Sequence, residues 1–234
     1  MTKKRIILFT CEHAVNDIPQ AYQKFFAQEQ SLLNSHRGID FGAITIAQHL
    51  SAALNAQLFQ ATASRLLIDC NRSINHPACY SEITTPLPEL TKQAISSKYY
   101  SPYRASVEQW IKTHIAEQKQ VLHLSIHSFT PKMHGEVREV DIGLLYDPKR
   151  LPEKHFAQQW KNNLKKCSPP LRIRLNAPYQ GTSDGFTTAL RKIFPQNSYL
   201  GIEVESNQAL VDNRSGCNQI AERLLISLGQ TVTC

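Results

Sequence analysis

The sequence has few glycines and no long apolar run, and each of these absences excludes a class of protein. Nine glycines in 234 residues, with 41% hydrophobic and 19% charged residues, exclude a collagen-like, low-complexity or disordered chain. The longest apolar runs are far shorter than the roughly 20 residues that a membrane-spanning helix needs. The apolar run 6–9 is also shorter than the about 7–15 residues of a secretory signal. We therefore expect a first strand over 5–10, no membrane partner and a cytoplasmic location.

Paired-cysteine motifs are also missing. The chain has six cysteines, at positions 11, 70, 79, 167, 217 and 234, and none of them forms a C-x-x-C pair. Without such a pair or an export signal, we expect six reduced thiols.

The formal net charge of +7 would suit an anionic partner, including nucleic acid. The basic residues are spread along the chain, and the densest runs, Lys3–Arg5 and Lys165–Lys166, are short. This distribution favours a solvated surface with some preference for anions, and we expect a small anionic substrate as the partner, with nucleic acid disfavoured. The oligomeric state stays open.

Strand-like and helix-like segments alternate along the chain, which favours a single α/β domain over 1–234 with a mixed, mostly parallel sheet flanked by helices. The predicted strands are 5–10, 57–61, 66–69, 121–125, 141–146, 171–175 and 199–204. The predicted helices are 18–26, 41–55 with Asp40 as its N-cap, 99–118, 156–164, 185–192 and 218–228.

Two histidines stand where predicted strands end. His13 and His127 each follow an apolar strand, and in open α/β sheets ligands bind at that edge. Neutral imidazole is a common metal ligand, and hydrolytic zinc sites use about three protein ligands. We therefore expect one divalent metal, with zinc the first expectation. The alternative is that each histidine is a hydrogen-bonded structural residue. His123 is expected to face away from the site.

The segment Asp69-Cys70-Asn71-Arg72 combines a carboxylate, an amide and a guanidinium. In an extended segment, alternation places Asp69 and Asn71 on one face. The carboxylate would accept the N–H of a metal-binding imidazole. Arg72, with Arg65 nearby, would bind a substrate carboxylate through paired hydrogen bonds. A surface ion-pair network is the alternative.

Two carboxylates stand in the apolar strand near the C-terminus. Burying Glu203 there is costly unless it has a partner or a task. We expect it to act as a general base that takes a proton from the attacking water and passes it to the leaving amine. Glu205 lies on the same strand face and is the rival for this role.

Several short stretches follow one another in a characteristic order. They are Cys11-Glu12-His13-Ala14-x-Asn16-x-Ile18-Pro19, Ser64-Arg65, Asp69-x-Asn71-Arg72, His127-Ser128-Phe129-Thr130-Pro131, Asp141-Ile142-Gly143-Leu144-Leu145-Tyr146, Asn176-x-Pro178-Tyr179 and Gly201-Ile202-Glu203. Together they resemble the N-formylglutamate amidohydrolase family over about residues 5–225. The resemblance implies a fold like that of zinc carboxypeptidases and aspartoacylase, one metal, and hydrolysis of an amide next to a carboxylate.

For the metal, the resemblance implies that His13 and His127 are the first and last zinc histidines and that Asp69 supports the first. The wider fold has His-x-x-Glu, whereas this chain has Asn16 at the position of the glutamate. An uncharged amide is a poorer zinc ligand than a carboxylate. The third ligand therefore stays open between Asn16, at the position of the family's glutamate, and Glu12, which has a charge but is the direct neighbour of His13.

For the substrate, the resemblance implies that Asn71 and Arg72 hold the carboxylate. Arg65 would polarise the scissile carbonyl, and Glu203 would be the base. Tyr179 and the loop 181–185 are expected to cover the substrate, although a plain turn explains that loop equally well.

The sequence thus predicts a metal-dependent amidohydrolase acting on an N-acylated, N-formyl-type amino acid or a related carboxylate-bearing amide. A different class stays open: a basic binding module, for nucleic acid among other partners, on a hydrolase fold with a degraded metal site. The lack of interleaved aromatic and basic residues counts against that alternative.

Overall fold

The structure, a computed structural model, describes residues 4–232. The strands are β1 Arg5–Cys11, β2 Gln57–Gln60, β3 Gln120–Phe129, β4 Lys132–Met133, β5 Glu136–Val137, β6 Ile142–Leu145, β7 Ile173–Leu175 and β8 Tyr199–Asn207. Strands β4 and β5 form a separate hairpin, and the other six form a central sheet in the order β2-β1-β3-β8-β6-β7. Neighbouring strands of the large sheet are parallel except β6 and β8. The predicted mixed, mostly parallel sheet is confirmed.

Helices cover both faces of this sheet. They are α1 Gln30–Leu33, α2 Ala43–Leu54, α3 Glu89–Ile95, α4 Ser101–Ala116, α5 Leu151–Leu164, α6 Phe186–Ile193 and α7 Arg214–Val232. Two 3₁₀ segments, Gln20–Phe26 and Gln208–Leu210, and a π turn, Ser96–Tyr100, complete the fold. No helix within residues 4–232 is both long and apolar enough to cross a bilayer.

Alternation along the central strand β3 separates the core from the functional face. Its even-numbered positions from Leu122 to Ile126 are apolar and pack in a core with α2, α5 and α7. Its odd-numbered positions carry His123, Ser125 and His127, on the face packed by α4 and α6. Because β1 and β8 both pair with β3 in parallel, their alternate residues join the same polar face.

The predicted strand over 66–69 is wrong. Leu66 and Leu67 lie in a turn, and the backbone N–H of Asp69 donates to the carbonyl of Cys79 at 2.8 Å. The apolar run is buried in a separate cluster that also contains Ile95. A short buried loop and a buried strand have the same apolar pattern, so periodicity does not distinguish them.

Asp40 is not the N-cap of α2. The helix begins at Ala43, and the preceding residue, Gly42, has a left-handed backbone with φ of 76°. A Cβ added to Gly42 would lie 2.8 Å from Cβ of Val211, so a side chain does not fit there. This tight turn frees the Asp40 carboxylate from the helix and directs it to the polar ends of the strands.

The cysteines agree with the expectation of reduced thiols as far as the structure describes them. Five are free: Cys11, Cys70, Cys79, Cys167 and Cys217. Cys234 lies outside the described residues.

Candidate metal and substrate site

One carboxylate lies between two histidine rings at the ends of β1 and β3. Oδ2 of Asp40 is 3.1 Å from Nδ1 of His13 and 2.9 Å from Nδ1 of His127. All three side chains are buried, and one ligand atom from each lies within 4.8 Å of the others. Two imidazoles and one carboxylate are a usual protein ligand set for catalytic zinc. This group could hold a metal ion.

The outer nitrogen of each ring meets a buried acceptor. Nε2 of His13 lies 2.8 Å from Oδ1 of Asp69, which is the contact that the sequence analysis expected. Nε2 of His127 lies 2.9 Å from the hydroxyl of Ser125 and 3.2 Å from Oε2 of Glu12. Each ring thus has a carboxylate beside Nε2 and directs Nδ1 towards Asp40.

The charges of this cluster suit a divalent cation. Burial alone would raise the pKa of Asp40, but His13 and His127 bring it well below its usual range. The pKa of Asp69 and that of Glu12 are lowered in the same way by the neighbouring histidines. Three carboxylates, those of Asp40, Asp69 and Glu12, surround the two imidazoles together with one guanidinium, that of Arg65, so the acidic groups outnumber this cation.

The predicted third ligand is placed elsewhere. The Asn16 amide donates to Oδ1 of Asn34 at 2.8 Å, and both residues line a separate surface cavity. Asp40 takes the position beside His13 and His127 that the sequence analysis gave to Asn16 or Glu12. An acidic residue before a helix also fits an N-cap, so the sequence pattern did not indicate that Asp40 lies beside the two histidines.

Arg65 joins the cluster to an open cleft. Its guanidinium donates to Oδ2 of Asp69 at 2.9 Å and to Oδ1 of Asp40 at 3.5 Å, and its Nη1 also lies 3.2 Å from Nδ1 of His13. Burial would lower the pKa of Arg65, but the two carboxylates raise it above its ordinary value. The side chain is 26% exposed, so it can reach both the buried cluster and a molecule in the cleft.

The cleft beside Arg65 has a volume of about 760 Å³ and is lined by several basic groups. Arg37 is paired with Glu82 at 2.7 Å. Arg72 donates to the backbone carbonyl of Asp184 at 2.6 Å and forms no ion pair with a carboxylate in the part of the chain that the structure describes. Arg72 is therefore the lining guanidinium most available to an anion.

Two residues that the sequence analysis assigned to the substrate have other contacts. The Asn71 side-chain oxygen accepts the backbone N–H of Phe186 at 2.7 Å, at the start of α6. The Tyr179 hydroxyl accepts from Arg138 at 3.0 Å, and the residue is 40% exposed. Their assignment to the substrate stays a prediction.

The two rival carboxylates lie on the same face of β8 but differ in their partners. Glu203 pairs in register with Ser125, and its carboxylate accepts a hydrogen bond from the Thr187 hydroxyl. Glu205 pairs in register with His127, nearer the group of His13, Asp40 and His127. Oε2 of Glu205 is buried without a hydrogen-bond partner among the described residues, and burial raises the pKa of this carboxyl to about 7.

The expected orientation of His123 is wrong. The ring lies on the same face as His127, deeper in the sheet, between the hydroxyls of Thr10 and Tyr199 at 2.7 and 2.8 Å. Burial lowers its pKa to about 4, so the ring is neutral. Its position follows from the four-residue spacing to His127, because an even spacing along a strand keeps both side chains on one face.

A sequence model of N-formylglutamate amidohydrolase matches residues 6–211. The chain belongs to the N-formylglutamate amidohydrolase family. The predicted resemblance is therefore confirmed, and membership of this family supports an enzyme that hydrolyses amides.

Solved structures include close relatives in fold. The chain is similar to gene product Atu2144 from Agrobacterium tumefaciens, with 31% identity and a TM-score of 0.85 over 99% of this chain and 92% of that one. It is also similar in fold to N-formylglutamate amidohydrolase from Ralstonia eutropha JMP134, with 15% identity and a TM-score of 0.72 over 99% of this chain and 94% of that one. No curated protein matches the chain in sequence.

In this member of the N-formylglutamate amidohydrolase family, sequence reasoning placed the two histidines and Asp69 together and missed Asp40. Sequence reasoning considered Glu12 only as an alternative metal ligand and did not predict its contacts with Tyr103, Ser125 and His127. The signal for Glu12 was its place directly after β1: the preceding Cys11 is in the apolar core, so alternation directs Glu12 to the polar face.

Proposed function

We propose that the chain is a zinc-dependent amidohydrolase that cleaves the amide of an N-acylated amino acid, with N-formyl amino acids the first candidates. The observation that carries the proposal is the buried group of His13, Asp40 and His127, together with Glu205 in register with His127, whose Oε2 has no hydrogen-bond partner among the described residues. A buried carboxylate oxygen without a hydrogen bond is costly to the fold, and such groups are concentrated at functional sites.

The metal would be held by His13, Asp40 and His127. When bound, a divalent metal supplies Lewis-acid activation of water and of the amide carbonyl. The excess of negative charge in the cluster and the two inward-facing Nδ1 atoms support this ligand set. Asp40 replaces Asn16 as the proposed third ligand.

Glu205 is the proposed general base, in place of Glu203. Its carboxylate would take a proton from the attacking water as the new C–O bond forms, and would return it to the amine nitrogen as the C–N bond breaks. A pKa of about 7 suits both transfers near neutral pH. Glu203 is already bonded to Thr187, which supports a structural role for it.

Two arginines would recognise the substrate. Arg65, which reaches both the cluster and the cleft, would stabilise the negative charge that develops on the carbonyl oxygen. Arg72 would bind the carboxylate of the amino-acid portion through charge-assisted hydrogen bonds. The cleft between them opens to solvent and is large enough for a small anionic molecule.

The test is a metal analysis combined with an activity screen. Protein purified without chelator is expected to contain about one zinc per chain. It should hydrolyse at least one N-formyl or N-acetyl amino acid, lose activity with a chelator and regain it with zinc, manganese or cobalt. The double variant His13→Ala, His127→Ala is the control and should have neither metal nor activity.

The opposite outcomes would remove the proposal. Full metal stoichiometry in the double variant would show that the metal binds elsewhere. If the wild type hydrolyses none of these amides with any of the three metals, yet binds nucleic acid with a steep salt dependence, the binding-module alternative replaces this one.

A further inference from the structure

Glu12 is a buried carboxylate that is neither a ligand nor a proton carrier in the proposed chemistry. Its side chain is fully enclosed, with the residue 1% exposed. The Tyr103 hydroxyl donates to Oε1 at 2.8 Å, and the Ser125 hydroxyl donates to Oε2 at 2.7 Å. Oε2 also lies 3.2 Å from Nε2 of His127. A buried charge with three polar contacts is costly to assemble, so these contacts need an explanation beyond packing.

The hydrogen bonds around Glu12 fix the position of one proton. An ionised carboxylate can only accept hydrogen bonds, so the single hydroxyl proton of Ser125 is donated to Glu12. The Ser125 oxygen, 2.9 Å from Nε2 of His127, is then left as an acceptor. Both neighbours of Nε2 are thus acceptors, which places a proton on Nε2. When the ring is neutral, its other nitrogen, Nδ1, has a free lone pair.

Nδ1 of His127 faces the group of His13, Asp40 and His127. It donates to Oδ2 of Asp40 at 2.9 Å, so a bound metal ion would replace the proton on Nδ1 and leave the one on Nε2. The same arrangement occurs on the other ring, where Asp69 accepts at Nε2 of His13 and Nδ1 faces Asp40. A proton on Nδ1 of either ring would block its use as a ligand.

We propose that Glu12 is a positioning residue that acts through Ser125 and directly on His127, holding the imidazole as the Nε2-protonated tautomer so that Nδ1 can bind the metal. The inference rests on the proposed function, because it assigns Glu12 to the metal site proposed above. The negative charge of Glu12 also makes His127 a stronger ligand, since it stabilises the positive charge that the ring acquires on binding a cation. Tyr103 holds the far oxygen of Glu12 and has no contact with the ring in this scheme.

The test compares zinc affinity in two variants, one that removes the charge of Glu12 and one that removes only its hydrogen bond from Tyr103. Glu12→Gln removes the charge beside His127 while keeping the side-chain shape. Tyr103→Phe is the matched control, because it removes the hydrogen bond to Oε1 and leaves Ser125, Glu12 and His127 in place. Zinc dissociation constants are measured by competition with a chelator, and the visible spectrum of the cobalt-substituted protein reports the ligand geometry. Circular dichroism of the metal-free proteins checks folding.

We expect Glu12→Gln to weaken zinc binding by about 10- to 100-fold and to alter the cobalt spectrum. Tyr103→Phe should stay within about two-fold of the wild type, with an unchanged spectrum. Equal losses in both variants, or wild-type zinc affinity in a folded Glu12→Gln protein, would overturn the inference while the proposed function stands. A folded wild-type protein that binds none of these metals would overturn the proposed function, and this inference with it.

Discussion

Oδ2 of Asp40 lies 2.9 Å from Nδ1 of His127, although 87 residues separate the two along the chain. The same oxygen accepts the backbone N–H of Ser128 at 3.3 Å. The backbone of Asp40 is fixed as well, since its N–H donates to the carbonyl of His13 at 3.2 Å. One carboxylate therefore ties the end of β1 to the end of β3, and the geometry of the cluster depends on it.

Replacing Asp40 should abolish tight metal binding. Asp40→Asn keeps the size of the side chain but removes the charge that compensates the cation, so we expect zinc affinity to fall by more than about 100-fold, beyond the range for residues that only support a ligand. Asn16→Ala is the matched control and should change the affinity by less than about two-fold. Chelator competition measures both. If Asn16→Ala is the damaging change, Asn16 is the ligand and Asp40 has only a structural role.

Replacing Glu205 should slow turnover with little effect on metal content. Glutamine keeps the shape of the side chain but cannot take the proton, so Glu205→Gln should lower kcat by about 10²- to 10⁴-fold. Glu203→Gln should cost less than about 10-fold, because the glutamine oxygen can still accept from Thr187. Steady-state kinetics with zinc content measured on the same samples checks this. The reverse order of effects would restore Glu203 as the base.

The sequence predicted the sheet because alternation in β3 and the apolar segments of β1 and β8 are strong local signals. It predicted the meeting of His13 and His127 because parallel strands bring their ends to one edge. It did not predict Asp40, whose position depends on a turn at Gly42 packed against Val211, a contact between distant parts of the chain. The hydrophobic periodicity of one segment does not indicate a contact with a distant segment.

Choosing between Glu203 and Glu205 also needed the structure. Both stand on one strand face, and the sequence alone does not show which hydroxyl is near either carboxylate. Thr187 is on α6, and the packing of that helix against β8 satisfies Glu203 while Oε2 of Glu205 stays unpartnered among the described residues. The assignment of the base therefore depends on tertiary packing.

Replacing Arg72 should weaken substrate binding with little change in kcat. Loss of a charge-assisted contact worth about 1.5–3 kcal/mol corresponds to about a 10- to 100-fold rise in KM for Arg72→Ala. Arg37→Ala is the matched control, since Arg37 lines the same cleft but is paired with Glu82. It should change KM by less than about two-fold.

The specificity of the Arg72 effect can be checked with a second substrate. The wild type should prefer an N-acyl amino acid over the analogue whose carboxylate is replaced by a carboxamide, and Arg72→Ala should lose most of that preference. An unchanged preference in Arg72→Ala would mean that this guanidinium serves only to hold the carbonyl of Asp184.

The final prediction concerns stability and His123. Burial lowers the pKa of this ring to about 4, whereas a histidine in the unfolded chain titrates near 6.5. Between these values the unfolded state binds a proton that the folded state does not, so the contribution of His123 to stability falls as the pH falls from about 6.5 towards about 4. The loss amounts to about 3 kcal/mol over that window, and below it both states are protonated and no more is lost. His123→Gln cannot titrate, so this loss should be absent from it. The variant should be less stable than the wild type at pH 7.5, because one of the hydrogen bonds to Thr10 or Tyr199 is lost, and this gap in the free energy of unfolding should close or reverse by pH 4.5.

Urea unfolding at four pH values, with chelator present so that metal binding does not contribute, measures the gap. His155→Gln, at an exposed position, is the control and should follow the wild type at every pH. Titrating groups that do not interact with His123 cancel in the difference between wild type and variant, so a gap that stays constant with pH would show that His123 is not held neutral in the folded protein.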